Sequence, residues 1–527
     1  MAYSKRSKSE QKGIRDMGNE TAAVELQNIT KRFGSFIAND HIDFTLQKGT
    51  IHGLLGENGA GKTTLMNVLG GLYPKDGGTT IINGHEEDIS SPQKAMSLGI
   101  AMVHQHFMLA RPLSVTENVM LGKKSRRGIL LDTKETAAEL KKLSDQYHMG
   151  IDPYVKIWQL SVGEQQRVEI LSAIYMGAEI LILDEPTAVL TVQETETFFQ
   201  MLRQMREEGK SIILITHKLD EIMSIADEVT ILRDGKNVGH LDMTPDVTKE
   251  QLSELMVGRK VLFDFPEKKG EAGAPLVKIS GISAKNDKGI IAVDHFSLTV
   301  HEGEIVGLAG VDGNGQKELC EVLTGLRHAD EGSILFHDEE IMNHRPIELI
   351  RKKISYIPED RMAQGLALNW SLKNNLILKK LSEGPYSVHG FIRKKEVERL
   401  WEKDQRDFQI KATSGDELVR ALSGGNQQKI ILARELGSQP DFLIANQPTR
   451  GLDIGASEYV RQQILKAREN GAAILLVSAD LEEILQLSDR IAVIYNGRLM
   501  GILPKESSEE EVGFLMMGGK TEGAEAV

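Results

Sequence analysis

The chain has 527 residues, of which 40% are hydrophobic, 26% charged and 5% aromatic; this is a globular composition, and the length exceeds what one ordinary core holds, so two or more domains are expected. A formal charge of −13 supplies no overall basic field and argues against nucleic acid as a partner. One cysteine, Cys320, excludes an intrachain disulfide and a cysteine-rich zinc site, fits a reducing compartment, and reads as a small core residue.

Residues 1–20 are polar and lack the apolar centre of a signal peptide, so they are expected as a flexible lead. A first domain is expected over 21–262. In it HGLLG reads as a strand, GENGAGKTT (56–64) as a turn and KTTLMNVLGGL as the start of a helix. The glycines Gly56, Gly59 and Gly61, with Glu57, Asn58 and Ala60 between them, allow successive N–H groups to face one anion at a helix N-terminus. Lys62 is then placed for the β and γ phosphates of a nucleotide, Thr63 for a Mg²⁺ ion, and Thr64, next along the helix, completes the expected nucleotide-binding set.

Residues 106–175 read as a helical insertion. Asp184 ends the apolar run ILIL as an acidic Mg²⁺ partner, and Glu185 follows as a candidate general base for an attacking water. His217 ends the run SIILIT, where a surface histidine is the plainer alternative. The longest apolar runs are strand-sized and far short of the roughly 18 residues needed to cross a bilayer. Short aliphatic runs alternate with longer amphipathic stretches, so each domain is expected as α/β with a mostly parallel sheet.

The chain then repeats itself. Residues 37–64 overlay 291–318 without a gap at an offset of 254, and LSVGEQQRVEIL, ILILDEPT and SIILITHKLDEI overlay LSGGNQQKIILA, FLIANQPT and AILLVSADLEEI at an offset of 262. The second copy therefore carries eight extra residues between SYIPEDR and ALSGGNQQK. Residues 263–275, rich in Pro, Gly and charge, are the expected linker, and 276–527 the second domain.

The order GENGAGKTT, VHQHF, LSVGEQQ, LILDEPT and ITH resembles the ATPase subunit of ATP-binding-cassette transporters, twice along the chain. The resemblance implies two tandem P-loop cassettes, each with an antiparallel subdomain and a helical insertion, using ATP and Mg²⁺. It also implies that Gln105 senses Mg²⁺ and the attacking water, that His217 contacts the γ phosphate, and that Phe33 stacks on adenine, a packed hairpin aromatic being the alternative. The signature segment serves the opposite cassette of a head-to-tail pair, so Ser423, Gly424, Gly425 and Gln427 are expected to complete the site of Lys62, Thr63, Gln105, Asp184, Glu185 and His217.

Register assigns the second site its counterparts. Gly310, Gly313 and Gly315 keep the loop, but Gln316 replaces Lys62, Lys317 replaces Thr63, Glu359 replaces Gln105, Asn446 replaces Asp184, Gln447 replaces Glu185 and Ala479 replaces His217. Phe33 maps to Asp287. The facing signature, Ser161, Val162 and Gly163, departs from the family pattern at Val162, and Thr191 stands where aspartate is usual, whereas Asp453 is retained. One hydrolytic and one degenerate site are expected.

A twin cassette with EQQR and NQQK after its signatures resembles bacterial sugar-type importers, and MVHQHFML, PTAVLT and QPTRGLD resemble their nucleoside branch. The implied partners are two integral-membrane permease subunits and an extracytoplasmic substrate-binding lipoprotein, with the chain peripheral on the cytoplasmic face of the bacterial plasma membrane. Monosaccharide import is the alternative, and a soluble ribosome-associated twin cassette a more distant one. HFMLARPLSVTENVML is where a coupling helix of a permease would dock, an ordinary helical-subdomain core being the alternative, and His104 and His106 are expected to be bystanders.

Overall fold

The computed structural model describes residues 22–104, 108–121, 132–187, 190, 192–260, 273–311, 313–381 and 384–519. Residues 1–20, Gln105, His106, Thr191 and positions 263–272 of the expected linker lie outside them. The chain divides into two compact units between residues 261 and 262. Pro275, the last residue of the expected linker, is already the first of strand Pro275–Lys285.

In the first unit an antiparallel sheet runs Phe36–Leu46, Val24–Phe33, Gly77–Ile82, His85–Glu86. A six-stranded sheet runs Lys236–Asp242, Glu228–Arg233, Ile51–Leu55, Ser211–Ile215, Ile180–Asp184, Ile100–Val103, parallel except for its first strand. Every residue of IHGLL, ILILD and SIILI is buried, as expected where both faces of a parallel sheet are covered and no polar alternation survives. The loops after these three strands therefore gather at one sheet end, where ligands of open α/β sheets bind.

The expected insertion contains helices Val115–Met120, Thr133–Gln146 and Val162–Tyr175. Ser114 and Ser161 start the first and third through reciprocal caps with Glu117 and Glu164, each satisfying backbone N–H groups that a helix start leaves unpaired.

The second unit repeats both sheets. Its parallel sheet runs Ile354–Ile357, Phe442–Asn446, Ala473–Ser478, Ile305–Ala309, Arg490–Tyr495, with Arg498–Pro504 antiparallel at the edge. A two-stranded hairpin, Ser387–Val388 with Phe391–Ile392, lies in the stretch that holds the eight extra residues. Cys320 is buried in the core of this unit, and burial pushes its thiol far above the usual range. Among the described residues no helix is long and apolar enough to cross a membrane.

Candidate functional site

In the first unit, strand Ile51–Leu55 delivers the chain into the loop 56–61 and helix Lys62–Leu69. Gly61 caps that helix with φ 96°, and a Cβ there would stand 2.5 Å from the Ala38 carbonyl oxygen. Only glycine fits a left-handed backbone pressed this closely on its neighbour. Asn39, buried, donates from Nδ2 to the Gly61 carbonyl at 3.0 Å, a support that motif reading missed because the residue lies 22 positions upstream. Lys62 folds back along the loop, donating to the carbonyls of Gly56 at 2.6 Å and Glu57 at 3.0 Å.

In the sheet, strand Ser211–Ile215 lies between the strand that enters the phosphate loop and the strand that ends in Asp184. The side chains bridge the gap. Thr63 Oγ1 donates to Asp184 Oδ2 at 3.3 Å. Burial raises the Asp184 carboxyl pKa and the adjacent Glu185 charge raises it further, while Thr63, Lys62 and His104 act in the opposite direction. His104, expected as a bystander, thus belongs to the electrostatics of the site.

Glu185 takes a left-handed backbone, φ 48°, and its Oε1 lies 2.9 Å from His217 Nδ1. The His217 contact holds the Glu185 carboxyl below its ordinary range against the opposing effect of burial. The interposed strand explains the encounter: its C-terminal end carries His217 to the side of Glu185. Hard oxygen donors at Thr63 and Asp184 fit a Mg²⁺ ion, and an ionised carboxylate at Glu185 can accept a proton.

Phe33 ends strand Val24–Phe33, half exposed, in edge contact with Tyr73 at 5.4 Å and with Lys31 Nζ 5.5 Å from its ring centre. In the second unit the same two positions hold Asp287 and Arg327, joined at 2.8 Å. An open aromatic platform has become a closed ion pair. Tyr73 was missed in the sequence because its meaning appears only beside Phe33.

The second loop keeps the backbone without the chemistry. Gly315 caps helix Gln316–Leu323 with φ 102°, its absent Cβ pressed on the Ala292 carbonyl as at Gly61. Gln316 Nε2 donates to the Val311 carbonyl at 3.1 Å, the counterpart of the bond from Lys62 to Glu57. Gln447 has φ 50° and bonds the Val477 carbonyl through its N–H at 2.7 Å, as Glu185 bonds Ile215 at 2.9 Å. Glu359 is paired with Arg450. A cavity of about 200 Å³ brings together Gly313, Gly315, Gln316, Lys317, Glu359, Asn446 and Gln447, and adds Ser478. Gly310 and Ala479 do not line it.

The two signatures differ in what they present. Ser161 and Val162 are exposed, and a Cβ on Gly163 would stand 3.0 Å from Leu190. Ser423 is exposed at the start of helix Gly424–Leu436, with Gly424 and Gly425 half-buried behind it. Gln427, expected to contact nucleotide, is buried, and its amide donates to the carbonyls of Val419 at 3.3 Å and Leu422 at 3.2 Å. Arg361, which no motif singled out, donates to the Arg450 carbonyl at 2.8 Å and packs over Gly424.

A glycine-capped anion loop, an acidic strand end and a paired histidine occur in order in the first unit, and the second repeats the loop and backbone with Asn446, Gln447 and Ala479 in place of the charged groups. The ABC transporter family model matches residues 39–188 and 293–450.

The chain belongs to the ABC transporter family.

It is an ATPase with two cassettes. It is 45% identical over 95% of its length to the nucleoside import ATP-binding protein NupA of Lactococcus lactis subsp. cremoris, covering 99% of that protein. It is 47% identical over 94% of its length to the guanosine import ATP-binding protein NupO of Bacillus subtilis, covering 97%. It is 43% identical over 94% of its length to the glucose import ATP-binding protein TsgD13 of Haloferax volcanii, covering 96%. A crystal structure of the archaeal ribosome recycling factor aABCE1 in complex with the stalk protein aP1 shares the cassette fold, with TM-score 0.60 and 18% identity over 93% of this chain and 92% of that one.

Proposed function

We propose that this chain hydrolyses ATP to drive nucleoside uptake through two permease subunits fed by an extracytoplasmic binding lipoprotein, working at the cytoplasmic face of the membrane. The observation that carries the reading is the 45% and 47% identity, over nearly the whole chain, to two importers named for nucleosides. Monosaccharide import is the second reading, favoured by the 43% identity to a glucose importer.

Within the first cassette, Lys62 and the loop N–H groups would hold the β and γ phosphates, and Phe33 would meet the adenine. Thr63 and Asp184, with Gln105, would hold Mg²⁺, which would supply positive charge against the phosphates. Glu185 would take the proton of the attacking water, and His217 keeps that carboxylate ionised and fixed in direction. Ser423, Gly424 and Gly425 would complete this site when two cassettes pair head to tail. At the other site Gln316, Asn446, Gln447 and Ala479 supply neither the charge nor the base, so a nucleotide cradled by Gly310, Gly313 and Gly315 would not be cut there.

Reconstitution of the chain with its permease pair and binding protein tests this reading. Nucleosides should stimulate ATP hydrolysis and accumulate in the vesicles, with pentoses and hexoses inert. Stimulation by sugars alone would transfer the assignment to the second reading, and co-isolation with ribosomes without any membrane subunit would overturn both.

A further inference from the structure

Away from the nucleotide loops, the first unit gathers four chemistry-bearing side chains on three neighbouring strands. His52 lies on Ile51–Leu55, Glu228 opens Glu228–Arg233, and His240 and Asp242 lie on Lys236–Asp242. Strand register brings them together, His52 pairing with Glu228 and Glu228 with Asp242. One ligand atom from each of Glu228, His240 and Asp242 lies within 4.8 Å of the other two.

His52 supplies an independent pointer to a ligand. Its ring is 0% exposed and packs on Phe44 with centres 4.6 Å apart. Its Nε2 lies 2.8 Å from Thr230 Oγ1, but Nδ1 has no hydrogen-bond partner and faces Glu228 Oε2 across 3.7 Å. His240 Nε2 faces the same oxygen across 3.6 Å, while its Nδ1 lies 3.3 Å from Thr230 Oγ1. Both gaps are too wide for a hydrogen bond. Two ligands of one tetrahedral zinc ion, with bonds of about 2.0–2.2 Å, stand roughly 3.3–3.6 Å apart.

The second unit is an internal comparison. Its equivalent positions are Val306, Arg490, Ile502 and Pro504, in the same strand pairings. There the Arg490 guanidinium brings a fixed positive charge, donating to Glu304 Oε1 at 2.6 Å and to the Thr299 carbonyl at 2.8 Å. At the same place the first unit has two imidazoles and two carboxylates.

We propose that Glu228, His240 and Asp242, with His52 beneath them, bind one divalent cation of the zinc class at a site separate from the nucleotide's Mg²⁺. The His240 nitrogen and two carboxylates suit that ion, with the unpartnered His52 Nδ1 facing the Glu228 carboxylate behind them, and the exposed His240 leaves a way in. The ion would tie together three strands, including the one that enters the phosphate loop at Gly56.

Calorimetric titration of the chelator-treated, nucleotide-free chain with Zn²⁺ tests the site, alongside the visible spectrum of bound Co²⁺. One equivalent should bind, raise the melting temperature with concentration, and give a tetrahedral cobalt spectrum. Affinity should fall at least about tenfold in His240→Ala and in Glu228→Gln, and stay within about twofold in His41→Ala and Asp184→Asn. Circular dichroism separates loss of the site from loss of the fold, and His240→Ala, at a surface position, carries the test if Glu228→Gln unfolds. Absence of binding, binding indifferent to a folded His240→Ala, or binding lost in Asp184→Asn overturns the proposal, the last by assigning the ion to the nucleotide loop.

Discussion

His217 Nδ1 lies 2.9 Å from Glu185 Oε1, and this contact joins the ends of two adjacent strands. The second unit holds Ala479 and Gln447 at these positions and retains only the backbone, φ 48° at Glu185 against 50° at Gln447. Conformation and chemistry have therefore separated: the strained turn persists where no proton can be taken. Glu185→Gln should lower ATP turnover about 10²- to 10⁴-fold with ATP binding retained, while Gln447→Glu changes turnover less than about twofold, because Gln316, Asn446 and Ala479 remain. Steady-state ATPase assays with nucleotide-binding measurements read both, and a large gain in Gln447→Glu would contradict the asymmetry.

The same pair sets the acid limb of the pH profile. His217 holds the Glu185 carboxyl below its ordinary range and burial opposes it. Folding stability from this contact is therefore present above the unfolded carboxyl value and is lost as pH falls through the depressed folded value. His217→Ala removes the lowering influence and leaves the burial, so the acid limb of residual kcat should move to higher pH. An unmoved limb would show that another group titrates there.

Phe33 and Tyr73 form an aromatic edge contact at 5.4 Å where Asp287 and Arg327 form an ion pair. Stacking of Phe33 on adenine would contribute about 1 kcal/mol, so Phe33→Ala should raise the KM for ATP by roughly fivefold with kcat nearly unchanged. Asp287→Ala should leave both within experimental scatter. Equal effects of the two substitutions would remove Phe33 from the nucleotide.

The signatures give an asymmetric test of their own. Ser423 and Ser161 are both exposed helix N-caps, so an arginine at either overpacks no core and costs at most a cap, about 0.5–2 kcal/mol. Ser423→Arg should reduce ATPase activity at least about tenfold through loss of charge stabilisation at the working site, whereas Ser161→Arg should retain most of it. The reverse ranking would exchange the assignment of signatures to sites.

Much of this was legible in the chain. Continuous apolar runs announced strands buried on both faces, glycine spacing announced the anion loop, and the change of offset from 254 to 262 located the stretch that holds the Ser387–Ile392 hairpin. Gln427 differs from its exposed motif neighbour Ser423 because its own position on the helix turns its amide inward onto Val419 and Leu422. Arg361 carried no signal, since its partners Arg450 and Gly451 lie about 90 residues away.

By itself the sequence determined which charges each cassette possesses, and therefore that Lys62, Asp184, Glu185 and His217 have no chemical equivalents in the second copy. Only the tertiary structure decided which of these groups meet. Insertion of Ser211–Ile215 between the phosphate-loop strand and Ile180–Asp184 brings His217 to Glu185, and parallel pairing sets His52 opposite Glu228. Such neighbours arise from strand order and register, which join residues 32 positions apart in one case and 228 − 52 = 176 in the other, and leave no trace in local spacing.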